Sequence, residues 1–369
     1  MPKRSTDELF QLVKSLEKAE KRNFKLFVQR NATSSDMKTV QLFDALDKLE
    51  DYDEEALLKR NTDIKKQQLS NLKAHLYRQI LASLRILKDD NNIQLQLHEL
   101  MDYSRILYDK GLYLQSLKTL DRVKEYAREQ HQVTYWLQTL IFEKKIEALY
   151  ITRSMENRAE TLAKEVEEAG DRLTMMNKLS NLSLQLYSWY INLGHARGDK
   201  DRIAIKAFFE SNLPTTAGLY NGFYEKHYLY ESYCWYGFIL QDLLMYYRYC
   251  QKWVDAFEQE PLMKKVDTPL YIKGLHNLLN AHFVLQNYDK FNTVLDKFEH
   301  FYHSKQANSN DNNRVQCFIY LYTAKLNKHF LEGSFTAGLK LIPEIEEKII
   351  EFRLKMDRHR VLVFYYKIT

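Results

Sequence analysis

Glycine and proline are scarce in this chain of 369 residues, which contains ten glycines and five prolines. Both residues interrupt helices, so their scarcity removes most of the places where a helix would have to stop. Alternating runs of Val, Ile and Thr between Gly/Asn turns, the pattern of β-strands, are lacking as well. Leucine, lysine, glutamate and glutamine are abundant instead. The composition therefore predicts a mostly helical, all-α chain.

Cysteines and long apolar runs are also few. The three cysteines, Cys234, Cys250 and Cys317, form no CxxC pair, which is typical of a reducing compartment with thiols as small buried groups. The first residues, MPKRSTDELFQ, lack the apolar core of a signal peptide. No stretch approaches the ~18 uninterrupted apolar residues of a membrane span. We therefore expect a soluble cytoplasmic protein without membrane contact.

The motifs of common enzymes are missing too. There is no GxGxxG, no phosphate loop ending in GK[ST] and no GxSxG elbow. The zinc motif HExxH is absent, since His98-Glu99 is followed by Leu, Met and Asp102. His300 and His303 stand three residues apart, but two ligands do not make a zinc site. We therefore expect no enzyme activity, no cofactor and no metal site.

Positive and negative side chains are nearly equal in number, and the net charge is +5. Over residues 1–90, lysine and arginine exceed aspartate and glutamate by 18 to 15. An excess this small does not by itself imply nucleic acid. The run 17–25 carries four cations, which form either a solvated helix face or a contact with an anionic partner. These cations are Lys18, Lys21, Arg22 and Lys25.

Aromatic residues, in contrast, are numerous, with 26 tyrosines and 19 phenylalanines. Long helices can use such rings as packing spacers, and a groove can present some of them to a partner. Both interpretations remain open from the sequence alone.

Residues 95–127 have the pattern of two helices joined by a tight turn. Lys110-Gly111 separates the halves, and glycine suits this point because helices often end in a left-handed residue. Neither half buries its apolar face alone, so the halves must stack on each other and on neighbours. The apolar residues at helical spacing are Leu97, Leu100, Leu107, Leu117, Leu120 and Val123.

This hairpin pattern recurs at a nearly constant interval. Aligned on Tyr113, the position after the turn, the matching points follow at intervals of 43, 44, 44, 44 and 47 residues. Intervals of this size indicate an array of helical repeats. Pro214 and Pro261 fall between predicted hairpins. The matching points are Glu156, Lys200, Leu244, Tyr288 and Phe335.

The interval divides the chain into two predicted regions. Residues 1–90 form a helical cap of five helices, and residues 91–369 form six hairpins and part of a seventh. The second hairpin (about 135–168) and the fourth (about 224–259) are irregular and are placed mainly by spacing.

Two turns carry a shared pattern of a small residue after an aromatic one, then large apolar residues at helical steps. They are Gly111-Leu-Tyr113 with Ser116, Leu120 and Val123, and Gly333-Ser-Phe335 with Gly338, Ile342 and Ile345. This pattern resembles the second half of a tetratricopeptide repeat, and the likeness covers residues 93–369. The resemblance implies an all-α, right-handed superhelical solenoid that binds a protein or peptide on its concave face. The phrase EKRNFKLF (20–27) also resembles a group of uncharacterised bacterial repeat proteins, a likeness that implies no activity.

In tetratricopeptide arrays the first helix of each hairpin lines the concave surface, with two positions one turn apart facing the ligand. In the present register asparagine occupies such positions three times, and an amide can donate to and accept from a peptide backbone at once. The alternative is that these are ordinary polar residues on a solvent-facing side. The resemblance thus predicts a peptide-binding set of Arg105, Lys144, Asn192, Tyr236, His276, Asn280 and Asn327.

Two classes of function follow as expectations. The leading one is a non-enzymatic scaffold for a protein or peptide partner. The alternative is a regulatory protein whose N-terminal helices touch nucleic acid while the repeats sense a partner, although the near-neutral N-terminal region speaks against it. Residues 359–369 look like the first helix of a seventh hairpin. This helix either belongs to a longer chain, caps the array, or docks onto another chain, including a second copy.

Overall fold

The computed structural model describes residues 8–30, 34–60, 64, 66–88, 92–150, 157–214, 222–352, 361, 362 and 364. Throughout these residues the regular structure is helical, and they contain no strand. The all-α prediction is therefore confirmed. The chain divides into two compact units, Met1–Tyr103 and Ser104–Thr369.

The first unit contains five helices and the beginning of a sixth, as far as the described residues show. Its core includes Phe24 and Phe43, whose ring centroids lie 4.7 Å apart. The Asp53 side chain accepts hydrogen bonds from the backbone N–H groups of Glu55 and Ala56, and so caps the fourth helix. The helices are α1 (Glu8–Ser15), α2 (Lys18–Arg30), α3 (Ser34–Lys48), α4 (Glu54–Arg60), α5 (Lys66–Lys88) and α6 (Ile93–Asp109).

Two of the four cations in the run 17–25 are paired within this unit. Lys21 Nζ lies 2.6 Å from Asp47 Oδ1, and Lys25 Nζ lies 2.7 Å from Asp44 Oδ1. Both carboxylates belong to α3. Half of the positive charge of the run is therefore already balanced by acids of the same unit.

In the second unit, consecutive helices pack on one another along the chain. The helices are α7 (Tyr113–Glu129), α8 (Val133–Tyr150), α9 (Arg158–Leu193), α10 (Asp199–Asn212), α11 (Phe223–Leu240), α12 (Leu243–Gln259), α13 (Met263–Val266), α14 (Thr268–Val284), α15 (Tyr288–Tyr302), α16 (Asp311–Glu332), α17 (Phe335–Leu339) and α18 (Ile342–Glu351).

Tight turns with a left-handed residue close several of the hairpins. Gly111 and Gly333 have φ of 75° and 65°, as the glycine turns predict. Gln241 and Gln286 adopt the same conformation, with φ of 58° and 54°. The helix that follows then begins with a side-chain cap in two cases, because Asp242 accepts from Met245 N and Asn287 from Lys290 N.

The predicted positions after the turns agree with the helix starts. α7, α15 and α17 begin at Tyr113, Tyr288 and Phe335, as the alignment predicts. α10 and α12 begin one residue earlier than predicted, at Asp199 and Leu243. The predicted turn position Glu156 lies outside the described residues.

Helix α9 departs from the hairpin pattern. The spacing predicts a loop between the second helix of the second hairpin and the first helix of the third, but one helix of 36 residues covers both. Residues 165–180 contain no proline and only one glycine, Gly170, so no strong breaker stops the helix there. Where the chain does leave a helix, Pro214 and Pro261 follow α10 and α12 closely.

The apolar core of helices α11–α18 is rich in aromatic rings, including Trp253, Phe257 and Phe318. Val361 and Phe364 belong to the same core, and the Phe364 ring centroid lies 5.4 Å from that of Phe318. These two residues of the predicted last helix are therefore buried. The other residues of 359–369, apart from the half-exposed Leu362, lie outside the described part of the chain.

Candidate functional site

Helices α9, α11, α14 and α16 are the first helices of successive hairpins, and three side-chain contacts connect them in order. Tyr187 of α9 meets Trp235 of α11, with ring centroids 5.0 Å apart. Glu231 of α11 pairs with Lys273 of α14 at 2.8 Å. His276 of α14 stacks on Tyr320 of α16, with centroids 4.1 Å apart and planes inclined by 15°. We call these six residues the cross-helix row.

The aromatic members of the row keep part of their surface accessible. Tyr187 is 44 % exposed, whereas Trp235, His276 and Tyr320 are half-buried. Partly exposed aromatic side chains combine a large contact area with few rotatable bonds, and they are enriched at the energetic centres of protein interfaces. The row therefore has the composition of a contact surface.

In the ion pair in the middle of the row, both the Glu231 carboxylate and the Lys273 ammonium carry their charge. Burial, the largest single influence, would raise the pKa of Glu231, but Lys273, His227 and the Ser183 hydroxyl together leave that pKa below the ordinary value. Burial likewise opposes the charge of Lys273, and the Glu231 carboxylate reverses this and raises its pKa. The pair therefore combines a buried acceptor, Glu231, with a half-buried donor, Lys273.

Behind this pair lies His227 of α11, which is buried. Its ring packs edge-on against Trp253 at 4.5 Å, and its Nε2 lies 3.9 Å from a Glu231 oxygen. Neither ring nitrogen has a hydrogen-bond partner among the described residues. Burial lowers the pKa of His227 to about 4, so the imidazole is neutral at neutral pH.

Small residues allow the helices around the row to approach one another. Ser232 is buried between α9 and α11, and its hydroxyl lies within hydrogen-bonding distance of the carbonyls of Tyr228 and Leu179. A Cβ at Gly274 of α14 would lie 2.9 Å from the Trp253 ring, so only glycine fits without movement. The row is thus positioned by close helix packing rather than by loops.

Of the residues that the resemblance selects, His276 lies in the row. Tyr236 is buried and turned towards α10, where its ring stacks on Phe209 at 4.1 Å. The ring that keeps part of its surface accessible at this point of α11 belongs to the preceding residue, Trp235. Arg105 on α6 and Lys144 on α8 are exposed and lie on helices outside the row.

The three asparagines of the predicted set differ in their environments. Asn192 is exposed and donates to the Ser188 hydroxyl at 3.3 Å. Asn280 is half-buried and donates to the Tyr246 hydroxyl at 3.3 Å. Asn327 is 5 % exposed. The three asparagines share a repeat position but differ in solvent exposure. Their common role in peptide binding stays a prediction.

Five row residues are not selected by the resemblance, namely Glu231, Lys273, Tyr187, Trp235 and Tyr320. A signal for the first two exists in the sequence. They are oppositely charged and stand 42 residues apart, close to the repeat interval. Opposite charges one repeat apart on first helices are expected to face each other when the helices pack in parallel.

A second group of buried charges joins α7, α8 and α9. Glu143 of α8 is 0 % exposed and pairs with Arg158 of α9. Lys124 of α7 lies 3.5 Å from Glu143 and 3.4 Å from Glu165. Each carboxylate faces a cation, so this arrangement is suited to holding three helices together.

Metal-binding clusters and membrane-spanning helices are both absent from the described ranges. No three His, Cys, Asp or Glu side chains in them come together as a metal site requires. None of their helices combines the length and the apolar character needed to cross a membrane.

No protein-family model matches the chain, and neither a curated protein nor a solved structure matches it. The class that the fold defines is therefore an all-helical protein whose helices pack in sequence.

Proposed function

We propose that this chain is a non-enzymatic, tetratricopeptide-like scaffold that binds a peptide or protein segment across the first helices of its hairpins. The cross-helix row is the observation that carries the proposal. Its three contacts connect α9, α11, α14 and α16, and its rings remain partly exposed. A surface that continues over four helices suits an extended segment better than a compact small molecule.

A segment lying across the row meets aromatic rings towards both ends and an ion pair between them. The rings supply apolar contact area with little loss of side-chain entropy. The half-buried Lys273 supplies a donor that matches the C=O groups of an extended main chain, and the buried Glu231 holds its ammonium in place. The row therefore supports recognition of main chain together with apolar or aromatic side chains.

The test begins with the full chain immobilised as bait for a random peptide library. A selected peptide is then titrated against the parent, Trp235→Ala and Leu244→Ala. Leu244 is 68 % exposed at the start of α12, so this control removes an accessible apolar side chain from a second helix. We expect Trp235→Ala to weaken binding about tenfold or more, equal to ~1.4 kcal/mol, and Leu244→Ala to leave it unchanged.

Tyr187→Ala provides a second row variant in case Trp235→Ala disturbs the fold, and circular dichroism checks both. Failure to enrich any peptide over an unrelated helical bait would contradict the proposal. Equal affinity of the parent and both row variants would contradict it as well.

A further inference from the structure

Two thiols meet inside the hairpin α11–α12. The Sγ atoms of Cys234 on α11 and Cys250 on α12 lie 3.6 Å apart, and both side chains are buried. The residues stand 16 positions apart along the chain, on either side of the turn at Gln241. The sulfurs of a disulfide lie about 2.0 Å apart. A small movement of the two side chains would therefore bring these sulfurs to bonding distance.

The hairpin holds this contact from both ends. Towards the turn, a Cβ at Gly237 would lie 3.0 Å from the backbone nitrogen of Tyr246, so glycine permits the close approach of α11 and α12. Towards the other end, the rings of Phe223 and Phe257 pack edge-on at 4.9 Å. The thiols are therefore kept together by the packing of the hairpin and not by a flexible loop.

We propose that Cys234 and Cys250 are a disulfide-forming site that a low-molecular-weight disulfide, such as oxidised glutathione, converts by thiol–disulfide exchange. The thiolate of one cysteine attacks a glutathione sulfur and releases one glutathione thiolate. The second cysteine thiolate then attacks the cysteine sulfur of the mixed disulfide and releases the other glutathione. Two protein thiols are oxidised, one glutathione disulfide is reduced, and the two protons pass through solvent to the released thiolates.

The first step is slow and the second is fast. Burial raises the pKa of Cys234, and the neighbouring Cys250 raises it further, so little thiolate exists at neutral pH. A reagent reaches the thiols only when the hairpin opens locally. Once one sulfur is captured, the other returns to contact distance as the hairpin closes. The mixed disulfide is therefore short-lived.

Cys317 of α16 provides an internal comparison, because it is the third cysteine of the chain and the other two face each other. It is buried, and burial raises its pKa to about 12. Without a second thiol in contact, Cys317 can form an adduct with glutathione but no internal disulfide.

The test treats the folded chain with excess oxidised glutathione and follows intact mass, free thiols and mapped peptides over time. We expect the mass of two hydrogens to be lost, a peptide cross-linked between Cys234 and Cys250, and the three free thiols to fall to one. Dithiothreitol should reverse the change. Cys317→Ala should still form the cross-link, whereas Cys250→Ala should instead accumulate a glutathione adduct on Cys234.

Circular dichroism and urea unfolding establish that each variant is folded before treatment. The proposal would be overturned if all three thiols persisted in the folded parent, or if adducts appeared on both cysteines without a cross-link. A cross-link that formed only in the presence of urea would overturn it too. None of these readouts depends on peptide binding, so this proposal and the proposed function fail separately.

Discussion

Helices α7 to α9 and helices α11 to α16 both bury apolar residues and follow one repeat interval, but the first group adds a buried cluster of charges and the second is richer in aromatic rings. In the first group, Glu143 lies between Arg158 and Lys124 with no exposed surface. In the second group, rings such as Trp253 and Phe257 fill the space between helices. The interval therefore governs where helices recur, while the residues between them decide what holds neighbours together.

The two groups also differ in how their helices are connected. Turns with a left-handed residue occur in both groups, at His131 between α7 and α8 and at Gln241 and Gln286 in the second group. In the first group α9 runs through the expected loop as one helix. In the first group, stability should depend on every buried charge having a partner. In the second group, stability should depend on the close fit of the aromatic rings.

The largest effect is expected at the centre of the charged group. Glu143→Gln removes a buried carboxylate and leaves Arg158 and Lys124 without their shared partner. We expect a loss of about 3 kcal/mol in the free energy of unfolding, measured by urea denaturation. Glu125→Gln, at an exposed position of α7, is the matched control and should change stability by less than about 0.5 kcal/mol. Equal midpoints for both variants would show that the group does not hold these helices.

The second effect concerns the dependence of stability on pH in helices α11 to α16. In the unfolded chain His227 takes up a proton below its ordinary pKa of 6.5, whereas in the folded chain it stays neutral down to about pH 4. The unfolded state therefore binds more protons between these values, and stability falls as the pH drops from 6.5 to 4. The full contribution is about 3 kcal/mol.

His227→Phe should flatten this part of the curve of unfolding free energy against pH. Burial also lowers the pKa of His282 to about 4, so the variant should keep a slope from that residue. Glu231 has a pKa below its ordinary value of 4.5, and its own contribution is lost only at lower pH. A variant curve parallel to that of the parent between pH 6.5 and 4 would contradict the assignment.

A third, intermediate effect separates close fit from helix propensity. Gly274→Ala places a methyl group against the buried Trp253 ring, whose indole N–H donates to the Leu270 carbonyl. We expect a loss of about 2 kcal/mol. Gly170→Ala is the control in α9, where a Cβ would meet nothing within 4 Å. That change should stabilise by about 0.5–1 kcal/mol. Changes of the same sign would contradict the contrast between the two groups.

The smallest effect is expected within the row itself. Glu231→Gln and Lys273→Met should each destabilise the chain by about 1 kcal/mol, because each leaves one charge without its partner while Lys273 keeps some solvent contact. The double variant should lose less than the sum of the single losses, with a coupling energy of about 1 kcal/mol. Strictly additive losses in urea denaturation would show that the pair contributes no coupling.

Much of the helix layout could be predicted from local patterns. The starts of α7, α15 and α17 follow from glycine or amide turns and from an aromatic residue at the first helical position. These features depend on residues that are neighbours along the chain, so a single sequence contains the information.

The continuous helix α9 and the members of the row were harder to predict. α9 continues because residues 165–180 contain no strong helix breaker. The constant repeat interval predicts a loop there, so spacing alone gives the wrong result. On α11 the half-buried Trp235 lies in the row and the buried Tyr236 does not, a difference of one residue that rotates a side chain by about 100° around the helix. The contact between Cys234 and Cys250 depends on the register of two helices across a turn.

The most direct measurement for the central claim is photo-cross-linking of a library-selected peptide that carries a benzophenone side chain, followed by mass-spectrometric mapping. The proposed function predicts cross-links on the row-bearing surfaces of α9, α11, α14 and α16. Cross-links concentrated on α12 and α15, or on the first unit, would contradict it.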